Sequence, residues 1–141
     1  MNDKLRQAWQ IAEFSDVSTP ENSVVLYSIS YQPSDINKRK AMAYLREHSD
    51  KKTLDDTECG KKLIDLGLET GNENPDAELL KIWALASERF IKAVKGNVTA
   101  FVDNADKRST FVSVELPLLL QNENVQTVNG RDKFIFAEKF I

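Results

Sequence analysis

Glu115 closes the run Ser109-Thr110-Phe111-Val112-Ser113-Val114-Glu115, in which apolar and small polar residues alternate. A period of two predicts a strand with Phe111, Ser113 and Glu115 on one face. Pro117 would end it, because proline cannot donate to a ladder. In a parallel sheet, a carboxylate near the C-terminal end of a strand faces the crevice where ligands bind. Fixed there, it could stabilise positive charge developing on a bound molecule. The alternative is a half-exposed strand whose glutamate faces water, as most glutamates do. Two further acids, Asp55 and Asp56, stand together in Thr53-Leu54-Asp55-Asp56-Thr57. Aspartates in a threonine-flanked turn usually cap nearby backbone amides, and that is the competing reading. Trp83 and Ser87 are four residues apart in a strongly periodic segment, so they share a helical face. A tryptophan at that spacing is ordinarily core; a serine on the same face is less expected.

Other chemistries have little to work with. The single histidine, His48, rules out the common multi-histidine metal sites and leaves few ways to build a Cys–His or Ser–His pair. One cysteine, Cys59, excludes an intrachain disulfide. Catalysis in this chain would run on carboxylates. The 141 residues, 41% hydrophobic and 29% charged, suit one globular domain with a real core. A formal charge of −3 with acids and bases intermixed argues mildly against nucleic acid as a partner. No apolar run approaches the roughly 20 residues a membrane helix requires. Met1-Asn2-Asp3-Lys4-Leu5 lacks the apolar core of a signal peptide.

The elements that must position these residues can be read in order. Residues 3–14 carry a helical stripe of Leu5, Ala8, Trp9 and Ala12, and 15–22 read as a loop. Val24 to Ile29 is an apolar run of strand length that could equally begin a buried helix. After Tyr31-Gln32-Pro33, Ser34 or Asp35 can cap a helix running through Met42, Leu45 and Arg46. Its Lys38-Arg39-Lys40 run reads as a solvated face, with phosphate contact as the alternative. The stretch 61–68 is apolar enough to pack, and 67–74 is a polar connection. Asn74 and Pro75 open the clearest helix, with Leu79, Leu80, Trp83, Ala86, Phe90 and Val94 along its stripe and Gly96 as its stop. Residues 97–102 alternate as a strand. Leu118 to Leu120 packs as a short helix or buried turn, and Val125 to Thr127 as a short strand. Asn129-Gly130 marks a tight turn before a last strand over 134–140. Closely alternating helices and strands favour an α/β or α+β domain.

Three motifs in this order, Thr53-Leu54-Asp55-Asp56-Thr57, Ile82-Trp83-Ala84-Leu85-Ala86-Ser87-Glu88-Arg89-Phe90 and Ser109 to Glu115, resemble the ADP-ribosyl cyclase / NAD glycohydrolase family. That family carries Thr-Leu-Glu-Asp-Thr, a helical Trp-x-x-x-Ser-x-x-Phe and Ser-Thr-Phe-x-Ser-x-Glu. The likeness covers roughly residues 22 to 128, with Val125-Gln126-Thr127 adding to it. It implies an α/β, ADP-ribosyl cyclase-like fold: a helical N-terminal part followed by a small, largely parallel sheet flanked by helices. Residues 1–141 would form one NAD-cleaving domain, helical to about residue 70 and sheet-containing from about 71.

The resemblance makes Glu115 the catalytic carboxylate, Trp83 an aromatic wall of the nicotinamide-ribose pocket and Ser87 a polar contact to ribose or phosphate. Thr110 and Phe111 match residues that hold the diphosphate through backbone amides. Asp55 stands where the family has a glutamate that helps choose between cyclisation and hydrolysis, and Asp56 matches an acid that helps bind the carboxamide. The family's second pocket tryptophan is absent, and Tyr27, in Asn22-Ser23-Val24-Val25-Leu26-Tyr27-Ser28, is the substitute expected from its context. The implied reaction is hydrolysis of NAD(P)⁺ at the nicotinamide–ribose bond, with some cyclic ADP-ribose, and with neither metal nor added cofactor. The animal enzymes are disulfide-rich. A disulfide-free domain of this kind resembles bacterial toxin modules that deplete NAD in the cytoplasm of a competitor, as in contact-dependent growth inhibition, and that are blocked by a cognate immunity protein. The rival expectations are a non-catalytic interaction module, such as an immunity or adaptor protein, and a nuclease toxin.

Overall fold

The computed structural model describes residues 3–28, 35–67, 77–109 and 111–140. Helix α1 (Asp3–Phe14) buries Ala8 and Ala12 against the core and is followed by strand β1 (Val25–Tyr27). Helix α2 (Ile36–Glu47) starts after Asp35, which makes no side-chain cap bond. A 3₁₀ turn (Leu54–Asp56) leads directly into α3 (Glu58–Asp65), and α4 (Ala77–Ala93) is the longest element among the described residues. The predicted cap of α4, Asn74-Pro75, lies outside the described residues, as do Tyr31 to Ser34.

Strand β2 (Thr99–Phe101) pairs in parallel with β1, Val25 opposite Thr99 and Tyr27 opposite Phe101. Single parallel bridges widen this core, Val24 to Lys52 on one side and Val98 to Val128 on the other. Two short antiparallel strands, β3 (Thr127–Val128) and β4 (Arg131–Asp132), are joined by Asn129-Gly130. Both turn residues have positive φ, 54° and 76°, as the Asn-Gly signal anticipates.

The sheet is small because β1 and β2 give three residues each, and helices cover the rest of the core. Phe90, Ile82, Leu63, Phe111, Leu119 and Val98 are among its fully buried side chains. Three polar side chains stitch the helices to the sheet and to one another. Asn37 of α2 donates to Ser28 O (3.0 Å) and Asp103 O (2.9 Å) and accepts from Asp103 N (3.0 Å), so α2 is clamped to the chain just past the ends of both parallel strands. Arg89 of α4 donates to the carbonyls of Ala12 and Ser15, at and just after the end of α1. Asn122 Nδ2 donates to Ile91 O and Val94 O near the end of α4. Gly96 follows with φ +82°, where a Cβ would lie 2.2 Å from Asn22 Oδ1, so only glycine fits.

Two predicted strands are helical. The run leading to Glu115 forms a π-helical turn (Phe111–Glu115) that continues into α5 (Leu116–Gln121). Phe111 and Leu116, five apart, are both buried, and Leu119 follows at helical spacing. The 4.4-residue repeat of a π turn serves that burial pattern, whereas a strand would put Phe111 and Leu116 on opposite faces. Pro117 therefore stands at the junction of the π turn with α5, and ends no ladder. The stretch 134–140 likewise forms α6 (Lys133–Ala137) and a 3₁₀ turn (Glu138–Phe140). Asp132 caps α6 by accepting from Phe134 N and Ile135 N, and Lys133, Phe136 and Ala137 turn inward at helical spacing.

Candidate active site

The site begins on α4. Trp83 and Ser87 lie one turn apart, with Ser87 only 6% exposed and Trp83 half-buried. Across from them, the π turn delivers Glu115, and Ser87 Oγ donates to Glu115 Oε2 at 3.1 Å. A π turn is uncommon and is often found at functional sites, because the widened coil re-aims the side chain that leaves it. The carboxyl sits where protein has replaced water, although the residue is partly accessible through the opening beside it. Burial pushes its pKa from 4.5 up to about 7, against the opposing pull of the Ser87 hydrogen bond.

That opening is a cleft of about 420 Å³, within the range of small-molecule sites. Val25, Leu26 and Tyr27 of β1 form one side, Leu54 and Asp55 of the 3₁₀ turn another, and Leu80, Trp83, Ala84, Ser87 and Phe90 of α4 a third. Ser109, Phe111, Glu115, Thr53 and Lys38 complete it. The cleft thus includes the C-terminal end of β1, where a parallel strand leaves room for a ligand. Tyr27 lines the same space, and burial first, then the charges of Asp55 and Glu115, raise its pKa. It stays protonated at neutral pH.

Of the residues singled out in the sequence, Tyr27, Asp55, Trp83, Ser87, Phe111 and Glu115 converge here. Asp56 does not line the cleft. Its carboxylate accepts from Thr53 N (2.9 Å) and Thr53 Oγ1 (3.2 Å), closing a capping box, which is the local role open to such a pair. Thr110 lies outside the described residues. The Phe111 ring packs edge-on against Phe136 and Phe140 and is 1% exposed, so any ligand contact would come from its backbone and ring edge. Ser109 and Lys38 were not assigned to the site from the sequence. Ser109 is buried, accepts from Ser28 Oγ at 2.9 Å, and its Oγ also accepts from Val112 N. It ties the end of β1 to the start of the π turn, and its place at the head of the third motif was the available signal.

The remaining reactive side chains serve the fold. His48 stacks on Tyr44 with ring centroids 4.0 Å apart, and its Nδ1 lies 2.9 Å from Tyr44 O. Cys59 is buried with its thiol pushed up by desolvation. Among the described residues no group of three or more His, Cys, Asp or Glu could hold a metal ion. A wider hollow of about 620 Å³ beside Asn129, Arg131, Ile135, Phe136, Glu138 and Lys139 has its charged groups in open water. It offers no desolvated acid or base among its described lining residues.

Solved structures of CD38 and of ADP-ribosyl cyclases share this architecture. Porcine CD38 carrying a covalent ribo-F-ribose-5′-phosphate intermediate aligns with a TM-score of 0.63 and 22% identity over 89% of this chain and 67% of its own. Aplysia cyclase with substrate NGD and product cGDPR aligns with a TM-score of 0.54 and 24% identity, over 77% of this chain and 48% of its own. The chain has the ADP-ribosyl cyclase fold. An ADP-ribosyl cyclase complexed with N1-cIDPR gives a TM-score of 0.56 at 20% identity, over 86% of this chain and 59% of its own. The chain spans from about half to two thirds of the length of these cyclase-fold proteins. No family's sequence profile matches it, and no curated protein matches it in sequence.

Proposed function

We propose that this domain cleaves NAD(P)⁺ at the nicotinamide–ribose N-glycosidic bond, releasing nicotinamide and ADP-ribose with cyclic ADP-ribose as a second product. The observation that carries the reading is Glu115: a desolvated carboxyl, hydrogen-bonded by Ser87, in an aromatic-walled cleft of a cyclase fold. Nicotinamide departs as a neutral ring taking the bonding pair, which leaves oxocarbenium character at C1′. A fixed carboxylate beside that carbon stabilises the charge, and desolvation strengthens the attraction. The leaving ring is already cationic, so no general acid is required, which suits a cleft without histidine.

The same desolvation disfavours the Glu115 anion in the empty site by about 3 kcal/mol, at about 1.4 kcal/mol per pKa unit. A cationic nicotinamide ring arriving beside it would restore the ionised form. Trp83 and Tyr27 would stack on the flat rings and keep water off them. Phe111, where the π turn begins, would receive the diphosphate through its backbone, as the resemblance also implies for Thr110, and Asp55 would influence whether water or adenine captures the ribosyl group. Water bonding to C1′ and losing a proton gives ADP-ribose; attack by the adenine ring gives the cyclic product.

A single cysteine, which allows no disulfide within these residues, supports a role as an NAD-depleting bacterial toxin domain acting in a target cell's cytoplasm, with an immunity protein that plugs the cleft. Incubating the purified domain with NAD⁺ or NADP⁺ and separating nicotinamide, ADP-ribose and cyclic ADP-ribose tests the activity. A lack of nicotinamide release would leave a non-catalytic binding module as the better account.

A further inference from the structure

The Lys38-Arg39-Lys40 run is resolved by the fold into three different situations. Arg39 pairs with Asp35 one turn earlier, at 3.3 Å. Lys40 pairs with Asp103 beyond β2. Lys38 alone of the three lines the cleft, and among the described residues no acid forms an ion pair with it. Among the described residues it is the only cation lining the cleft, set against the two carboxyl groups of Asp55 and Glu115.

The cleft is therefore lined by groups of both signs: the desolvated carboxyl of Glu115, to which Ser87 donates, and the exposed ammonium of Lys38 on the first turn of α2. The backbone under Lys38 is not free to drift, because the buried side chain of Asn37 next to it is clamped to Ser28 and Asp103. A pyridinium dinucleotide has the complementary polarity, one cationic ring and a dianionic diphosphate a few bonds away. We infer that Lys38 is the side chain that takes the diphosphate and so fixes which end of the substrate enters the cleft. This rests on the NAD-cleaving reading for the identity of the substrate. It adds a specificity-determining residue from α2, an element that none of the three sequence motifs touches.

The test compares two substrates that share the cleaved bond and differ in phosphate: NAD⁺ and nicotinamide riboside. With Lys38→Ala, kcat/KM for NAD⁺ should fall about tenfold, mostly through KM, and further with Lys38→Glu, while turnover of nicotinamide riboside changes less than twofold. Equal losses on both substrates, or no loss on NAD⁺, would overturn the assignment. Calorimetric titration with ADP-ribose gives a readout independent of turnover: the wild type should bind about tenfold more tightly than Lys38→Ala, with a gap that narrows as salt rises. Equal affinities, or no binding by the wild type, would refute the role of Lys38. ADP-ribose binding that depends on Lys38 without cleavage of NAD⁺ would uphold it and sink the catalytic reading instead.

Discussion

Ser87→Ala should move the pH dependence of the proposed reaction in a specific direction. In the folded protein the Ser87 hydroxyl donates to Glu115 Oε2 at 3.1 Å and is the one contact opposing the rise in its pKa to about 7. A hydrogen bond to a charged group is worth about 1.5–3 kcal/mol, and each pKa unit is about 1.4 kcal/mol, so its removal should raise the carboxyl by a further one to two pH units. If the ionised carboxylate is the working form, kcat/KM for NAD⁺ in the wild type rises with pH through about 7 and then levels off. In Ser87→Ala the same rise should be displaced upward, so that activity is roughly five- to fiftyfold lower at pH 7, where the wild type is itself half ionised, and recovers to at least about half by pH 9. The assay is nicotinamide release across pH 5 to 9.5. An acid limb that stays near 7, or a loss of activity that alkaline pH does not repair, would refute this account of how Ser87 and Glu115 work together.

Stability should carry the same signature with the opposite trend. Between pH 4.5 and about 7 the folded Glu115 holds a proton that the unfolded chain has released, so folding stability falls as pH rises through that window, by up to about 3 kcal/mol. Glu115→Gln should abolish that slope in denaturant titrations and be the more stable protein at pH 8. Gly60→Ala places a methyl 2.1 Å from Leu54 O and 2.8 Å from Asp55 Cα. It should cost about 1–3 kcal/mol and, by pushing the 3₁₀ turn away, change KM, as thermal melts and kinetics on one preparation would reveal. Asp56→Ala removes only a capping box and should lower stability by about 1 kcal/mol while kcat/KM stays within about threefold, whereas a large loss of substrate affinity would reinstate Asp56 as a ligand contact.

The parts of the fold legible in the sequence are those in which local signals and burial agree. The stripe of α4, the Asn129-Gly130 turn and the strand within 97–102 are of this kind, as is the Thr53–Asp56 cap, whereas the run holding β1 left strand and buried helix open. The run before Glu115 misled because Val112 and Val114 have strand propensity and the polar residues between them supply a false period of two. The deciding contacts were long-range: Phe111 against Phe136 and Phe140, and Leu116 in the core, at a spacing that only a widened helical turn satisfies. The stretch 134–140 misled in the same way, through three phenylalanines and an isoleucine, although Asp132 stood before it as a helix cap. For the site, the motif residues were legible because their order and spacing carry information. Lys38 was not, since its run looks alike at all three positions. Only the ion pairs of Arg39 and Lys40 and the placement of α2 distinguish it.

The central claim is that Glu115, carried on the π turn, is the group that stabilises the ribosyl cation. The most direct test is steady-state nicotinamide release from NAD⁺ at pH 8 by the wild type and by Glu115→Gln, the latter shown to be folded by its thermal melt. Glutamine keeps the shape and a hydrogen-bond acceptor and removes the charge. The account predicts a fall in kcat of at least about a hundredfold with little change in ADP-ribose binding. Release by Glu115→Gln within about tenfold of the wild type would contradict it.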